Sequence, residues 1–335
     1  MAGRGARGAV GLTMPSPRLA AFRPHALHAP DRHWPETNCY VDLWIEVLAD
    51  RGFDPVAGLG FTVRQDFEGD QFTFFKFPLE DLETLYGVTV QELAIFDTVE
   101  RHAIEQISRG RLTLIEVDGF YLPDTDGVSY RLEHTKTTIA PTVIDPDRRR
   151  IEYFHNAGYF ELTGEDYDGV FRRLPALASA PDLLFPYTEF ARFEPARAAA
   201  DTSLAALNLL KKHLKFRPEA NPVAAFAAAF PAHAEDLKTR PPAYFQAYAF
   251  NTLRQLGANF ELLAAHLAWL SSAYHLDFKE EIEESTAIAG GAKAFQFQLA
   301  RAMARGRLAG LEAHLEPLAL AYDRLFAHLP AKLGG

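Results

Sequence analysis

Apolar residues recur at helical spacing through Tyr40, Leu43, Trp44, Val47 and Leu48, and Gly52 stops the run. Thr37 or Asn38 supplies the N-cap, so the pattern places Cys39 at or near the first turn of a helix. Residues 17–38 show no periodicity and read as an extended lead-in, while Asp54-Pro55 marks a turn. An acidic loop, Asp66-Phe67-Glu68-Gly69-Asp70, then leads into a Phe-rich segment over 72–76 that reads as a buried strand. Helices are expected over 79–86 and 89–109 and strands over 112–118, 134–144 and 151–155. The run Tyr159–Leu162 follows, and a short helix is expected over 166–173.

Beyond Pro175 the pattern changes. Residues 175–200 contain Pro and Ala and read as a bridge. From 202 to 330 the chain is Ala- and Leu-rich with helical period, giving helices near 202–215, 222–239, 242–274, 278–305 and 308–328, with breaks at Pro218, Pro231, Pro241-Pro242 and Gly290-Gly291. The expected organisation is therefore a disordered segment at 1–16, an α+β part at 17–175 and an all-α helical bundle at 176–335. The Gly-, Ala- and Arg-rich first residues lack the apolar stretch of a signal peptide, which leaves Met1 and Met14 both open as the start.

Composition narrows the function. The 335 residues carry a net charge of -10 and no Lys/Arg-rich block, which argues against general nucleic-acid binding. No apolar run reaches membrane-spanning length. A single cysteine excludes an internal disulfide framework and a cysteine-based zinc site, and it fits a reducing cytoplasm. His25, His28 and His33 lie in Pro-containing coil without fixed metal-ligand geometry and read as solvated histidines.

Three polar residues fall in a chemically suggestive order: Cys39 at a helix start, His134 opening a strand and Asn156 ending the next one. A thiol nucleophile needs a base, and the base needs a third group to fix its tautomer. A hairpin between the two strands would return Asn156 beside His134. His155 and Asn156 would point to opposite faces, so only one of them could address His134, and Asp145 is a rival at the far end of the hairpin. Asp66, Glu68 and Asp70 form an acidic wall that suits a substrate amine, or else a solvated loop. Asn251, Arg254 and Gln255 share a helix face, as do Lys293, Gln296 and approximately Arg301, as helix-to-helix networks or as a cationic wall.

Asn38-Cys39 before an apolar helix, Glu116-Val117-Asp118-Gly119-Phe120-Tyr121-Leu122-Pro123, and His134 resemble the pattern of the butirosin biosynthesis protein H family and, more distantly, of papain-like cysteine peptidases. Phe67–Gln71, His134–Thr138 and Tyr153–Tyr159 more specifically resemble the domain of unknown function 1839 family, over roughly residues 35–325. The resemblance implies a papain-like fold for the N-terminal part. It also implies a cytoplasmic acyltransferase that holds no cofactor of its own. The enzyme would take an aminoacyl or other small acyl group from the phosphopantetheine thioester of a carrier protein, carry it on Cys39 and pass it to a small amine. His134 would be the base and Asn156 the orienting residue. His33 stands where papain-like enzymes carry an oxyanion-stabilising Gln, so Asn38 or the Cys39 N–H would serve instead. Arg254, Lys293 and Arg301 would meet the phosphate or the carrier. Peptide or amide hydrolysis, or a non-catalytic scaffold with an inert Cys39, are the rival readings.

Overall fold

A computed structural model describes residues 16–178, 185–241 and 243–333. The segment 1–15, on which the expected disorder and the choice of start fall, lies outside the described residues. Ser16 caps a short helix, α1 (Pro17–Ala21), and Ala26–His28 form a 3-10 turn, so the lead-in is not wholly extended. Helix α2 (Cys39–Asp50) follows, then a 3-10 segment over Pro55–Arg64 and α3 (Leu79–Tyr86). The Phe-rich segment 72–76 forms no strand; it contributes one isolated bridge, Phe67 with Phe72.

The fold is α+β, with one antiparallel sheet. Its strands are β1 (Val88–Glu92), β2 (Leu112–Asp118), β3 (Lys136–Asp145), β4 (Arg150–His155), β5 (Gly158–Thr163) and β6 (Thr188–Phe193), in the order β1-β6-β2-β3-β4-β5. Two of these depart from the sequence pattern. β1 replaces the start of a helix expected over 89–109, which shortens to α4 (Val99–Ser108). β6 comes from the stretch read as a bridge and inserts between β1 and β2. Alternation along the strands splits the core. Leu112, Leu114, Ala140, Phe154 and Ala191 face α2, while Ile115, Val117, Ile139, Ile151 and Tyr153 form a second cluster on the other face with α4 and α5 (Glu165–Val170).

The helical half packs against the α2 side of the sheet. It holds α7 (Thr202–Leu214), α8 (Pro222–Leu237), α9 (Tyr244–Ala249), α10 (Gln255–Tyr274), α11 (Lys279–Arg305) and α12 (Glu316–Lys332), with a π-helical turn at Phe250–Arg254, whereas the short α6 (Pro175–Ala178) precedes β6 and sets Leu177 against the second cluster. One continuous core joins the halves, from Trp34 and Trp44 through Phe226 and Phe260 to Leu329. Helix α11 runs unbroken through Gly290-Gly291 because both glycines fit close packing: a Cβ at Gly291 would meet Leu318, and one at Gly290 would lie against His33. Among the described residues no helix is long and apolar enough to cross a membrane.

Helix α2 is enclosed between the sheet and the helical half, and nine consecutive residues, Tyr40 to Leu48, are buried. They include Asp42 and Glu46, one turn apart, whose burial is costly unless each carboxylate finds donors. His28 supplies them. Its Nε2–H donates to Asp42 Oδ1 at 3.2 Å and its Nδ1–H to Glu46. The solvated reading of this histidine is thus corrected: its side chain is 1% exposed. The His25 N–H adds a bond to Glu46 at 2.9 Å. The Thr37 N–H and hydroxyl donate to Asp42 at 2.7 and 2.6 Å, which fixes the chain just before Cys39.

Burial disfavours the His28 imidazolium, but the hydrogen bonds to Asp42 and Glu46 outweigh it and push the group up to about 9. The folded value lies above the ordinary 6.5, so the stabilisation is complete below pH 6.5 and is lost as pH rises through about 9. Unfolding free energy should therefore fall by on the order of 3 kcal/mol between pH 6.5 and pH 9.5. His28→Asn should be less stable at pH 6.5 and should flatten that fall. Denaturant titrations across the range check this, and a flat wild-type profile would refute the charged His28.

Candidate functional site

Cys39 is the first residue of α2 and is partly exposed. Asn38 is the N-cap: its Oδ1 accepts from the Tyr40 and Val41 N–H groups at 3.2 and 3.1 Å, and its Nδ2 donates to the Phe75 carbonyl at 3.0 Å. One of the two Nδ2 hydrogens is thereby committed, and the residue is 2% exposed. The N–H of Cys39 makes no hydrogen bond among the described residues and remains a candidate for the oxyanion-donor role.

Two contacts fix the direction of α2. The Tyr40 hydroxyl donates to Glu189 near the start of β6 at 3.0 Å, and the Arg51 guanidinium lies 4.5 Å over Phe193 at its end. The helix thus runs in the direction of β6 while packing over β3 and β4, with its first turn toward the sheet end where β6 begins. At that level Thr188 pairs with Ile115 of β2, which pairs with Ile139 of β3; β2 runs on past it to Asp118, the register partner of Lys136 where β3 begins. Glu189 also accepts from the Tyr187 hydroxyl at 2.8 Å, and Lys76 lies 4.6 Å over the Tyr40 ring. Burial, then Glu189, raises both phenols, Tyr187 up to about 12, so neither is a base near neutral pH.

His134 sits at this same sheet end, two residues before β3. Its Nδ1–H donates to Asp118 Oδ2 at 2.5 Å, and its ring stacks on Phe120 with centroids 4.5 Å apart. The other Asp118 oxygen accepts the Phe120 N–H at 3.0 Å, which holds the carboxylate still. Gly119 permits the close approach: its N–H donates to the Thr135 carbonyl at 2.7 Å, and a Cβ there would meet Thr135 Oγ1 and Ser129 Oγ at 2.7 and 2.8 Å. A cavity of about 240 Å³ opens beside this pair, lined in part by Glu116, Asp118, Lys136 and Arg172. Sequence reasoning gave Asp118 no role. The available signal was an aspartate ending one strand next to a histidine opening its neighbour.

Asn156 stands elsewhere. It follows β4 with φ +46, in the two-residue turn between His155 and Gly158, a left-handed position that asparagine tolerates well. The β3–β4 hairpin closes tightly at Asp145–Arg150 and pairs Ile139 with His155. On that register Asn156 lies about four residues short of the level of His134, roughly 13 Å of extended chain. No hydrogen bond joins His134 to Asn156 among the described residues, and none joins either histidine, His134 or His155, to the Cys39 thiol. Asp145 serves its own turn, accepting the Arg148 N–H at 3.0 Å.

His155 belongs to the far face. It is buried, with Nδ1–H on Asp124 and Thr137 Oγ1 at 2.7 Å from Nε2. The Tyr153 hydroxyl also donates to Asp124. This hydroxyl–imidazole–carboxylate order has catalytic connectivity, but Thr137 and His155 are 8% and 1% exposed, so a substrate has no approach.

The remaining candidates separate. Asp66 Oδ1 accepts the adjacent Phe67 N–H and Glu68 accepts the Thr73 hydroxyl, so both shape their own loop. Arg254 donates to the Glu36 carbonyl and carboxylate at 3.1 and 3.0 Å, gripping the chain that leads into Cys39. Lys293 lies 4.1 Å over Trp34, and its pKa is lowered by burial and then by Arg254, which places the two cations together. Arg301 lies eight residues further along α11, is exposed and makes no ion pair among the described residues. Among the described residues no group of three or more His, Cys, Asp or Glu side chains is arranged to hold a metal ion.

Gly119→Ala should displace the Ser129–Thr135 segment and release His134 from Asp118. Loss of the His134 ring shifts from stacking on Phe120, followed by NMR, with less than about 2 kcal/mol of destabilisation checks this.

No curated protein matches the chain. Two family models do: that of the DUF1839 N-terminal domain matches residues 23–193, and that of the DUF1839 C-terminal domain matches residues 199–331. With nearly its whole length covered, from the sheet that carries the Asp118–His134 pair to the last helix, the chain belongs to the DUF1839 family.

Proposed function

We propose that the protein is a cysteine-dependent acyltransferase of papain-like plan, with Cys39 as nucleophile, His134 as base and Asp118 in the orienting role first given to Asn156. One observation carries the reading: α2 points the end that bears the Cys39 thiol toward the end of the sheet that holds the Asp118–His134 pair. A helix N-terminus, a free N–H beside the nucleophile and an imidazole with its tautomer fixed by a carboxylate are what acyl transfer through cysteine requires. With Nδ1–H committed to Asp118, Nε2 of His134 is left to exchange protons.

The donor is a small or aminoacyl thioester on the phosphopantetheine arm of a carrier protein. The Cys39 sulfur adds to its carbonyl, the C–S bond to pantetheine breaks, and the departing thiolate takes a proton from His134. A small amine then attacks acyl-Cys39, gives its proton to His134 and expels the Cys39 sulfur. Water in place of the amine makes the same machinery a hydrolase, and an inert Cys39 makes the protein a scaffold. Arg254 and Lys293 lie beside the Trp34–Glu36 lead-in to Cys39, a favourable position for a phosphate near the nucleophile.

Four experiments bear on this. Incubation with an acyl-N-acetylcysteamine should raise the intact mass by one acyl group on Cys39, and Cys39→Ser should not form that thioester. Iodoacetamide labelling only after denaturation would make Cys39 inert and favour the scaffold. Asp118→Asn should lower turnover by roughly ten- to a thousandfold with the fold retained, while Asn156→Gly should leave it within about twofold; the reverse ranking returns the third role to Asn156. Arg301→Glu should slow transfer from a carrier-bound thioester several-fold more than from the small thioester. An equal effect on both donors would rule out carrier docking at that residue.

A further inference from the structure

A second cavity, of about 500 Å³, lies in the helical half between the 66–73 loop, the end of α8, α9 and the π-helical turn. Its walls include Asp70 and Asp236, His233, Tyr244 and Tyr248, with Ala247 at the rim and no Lys or Arg. The volume suits a small organic ligand. Several groups are already committed. The Tyr248 hydroxyl and His233 Nδ1 share a hydrogen bond of 3.0 Å, which sets the two rings at 86° to each other. Asn251 donates to the Ala247 carbonyl and Thr252 to the Tyr248 carbonyl, and the Phe72 N–H donates to the Asn251 carbonyl, joining loop to turn. Asp236 is paired with Arg240, whose guanidinium also lies 4.8 Å over the Tyr244 ring.

Asp70 makes no ion pair among the described residues, so the one uncompensated charge on these walls is negative. Arg240 shows the local chemistry: a cation rests between a carboxylate and a tyrosine face. We infer that this cavity is a binding site for a small organic cation, a primary amine with an apolar body, its ammonium on Asp70 and its body against Tyr244 and Tyr248. An anion would find no lysine or arginine on these walls, and the nearby Arg240 guanidinium is already paired with Asp236. The inference requires only the cavity and stands whether or not Cys39 is a nucleophile.

Calorimetric titration of the full chain with phenethylamine and with its neutral analogue 2-phenylethanol tests it. Wild type should bind the amine roughly five- to tenfold more tightly, from one ion pair and one cation–π contact. Asp70→Asn should abolish that preference without weakening the alcohol, and Ala247→Trp, at an exposed rim position, should block both ligands. Equal binding of amine and alcohol, a preference that survives Asp70→Asn, or no amine binding at millimolar concentration would overturn the assignment. Thermal melts of both variants, expected to match wild type because Asp70 and Ala247 are exposed, separate loss of the site from loss of the fold.

Discussion

Two carboxylates buried in one helix set the terms for this structure. Asp42 and Glu46 sit inside α2, where the sheet and the helical half close over every side. Without donors their burial would cost several kcal/mol each. His28 places a charge between them, and the backbone of His25 and Thr37 adds further bonds. The segment ahead of the helix is thereby tied to the helix itself. The same bonds hold Thr37 and Asn38 so that Cys39 emerges as the first residue of α2.

That anchoring explains how a partly exposed thiol can stand at the end of so deeply enclosed a helix. The first turn points toward the end of the sheet where β2 ends and β3 begins, and the Asp118–His134 pair lies at that end. The helical half contributes through Arg254 and Lys293, which fasten Glu36 and Trp34 from outside. The groups that surround Cys39 therefore come from both family domains, although the sheet belongs to one and the bundle to the other. The continuous core across the two matched regions gives the physical reason they occur here as one unit.

The sheet face and the register together set His155 apart from Cys39. His155 is adjacent in sequence to Asn156 and pairs with Ile139, five residues beyond His134, and its side chain points away from α2 into the other core. A one-residue change in register would have exchanged these faces. The tight closure at Asp145–Arg150, helped by Arg149 at φ +48, fixes the register that is observed.

The sequence by itself determined the elements whose signals are local. The periodicity and cap before Cys39 placed the start of α2 at or near that residue, and α3, β2 and the long helices α7, α8, α10 and α11 follow from apolar spacing. The choice of Cys39 as the reactive candidate rests on that same local signal. Only the tertiary structure decided what depends on distant partners. β1 and β6 are strands because they pair with each other, residues about a hundred positions apart, and because β6 also pairs with β2, contacts that no local pattern records. His28 changed from a solvated residue to the charged centre of the core because its partners lie on α2. Asp118 became the partner of His134 because strand register, not sequence order, puts an aspartate and a histidine at one edge, and the same register left Asn156 to make a turn.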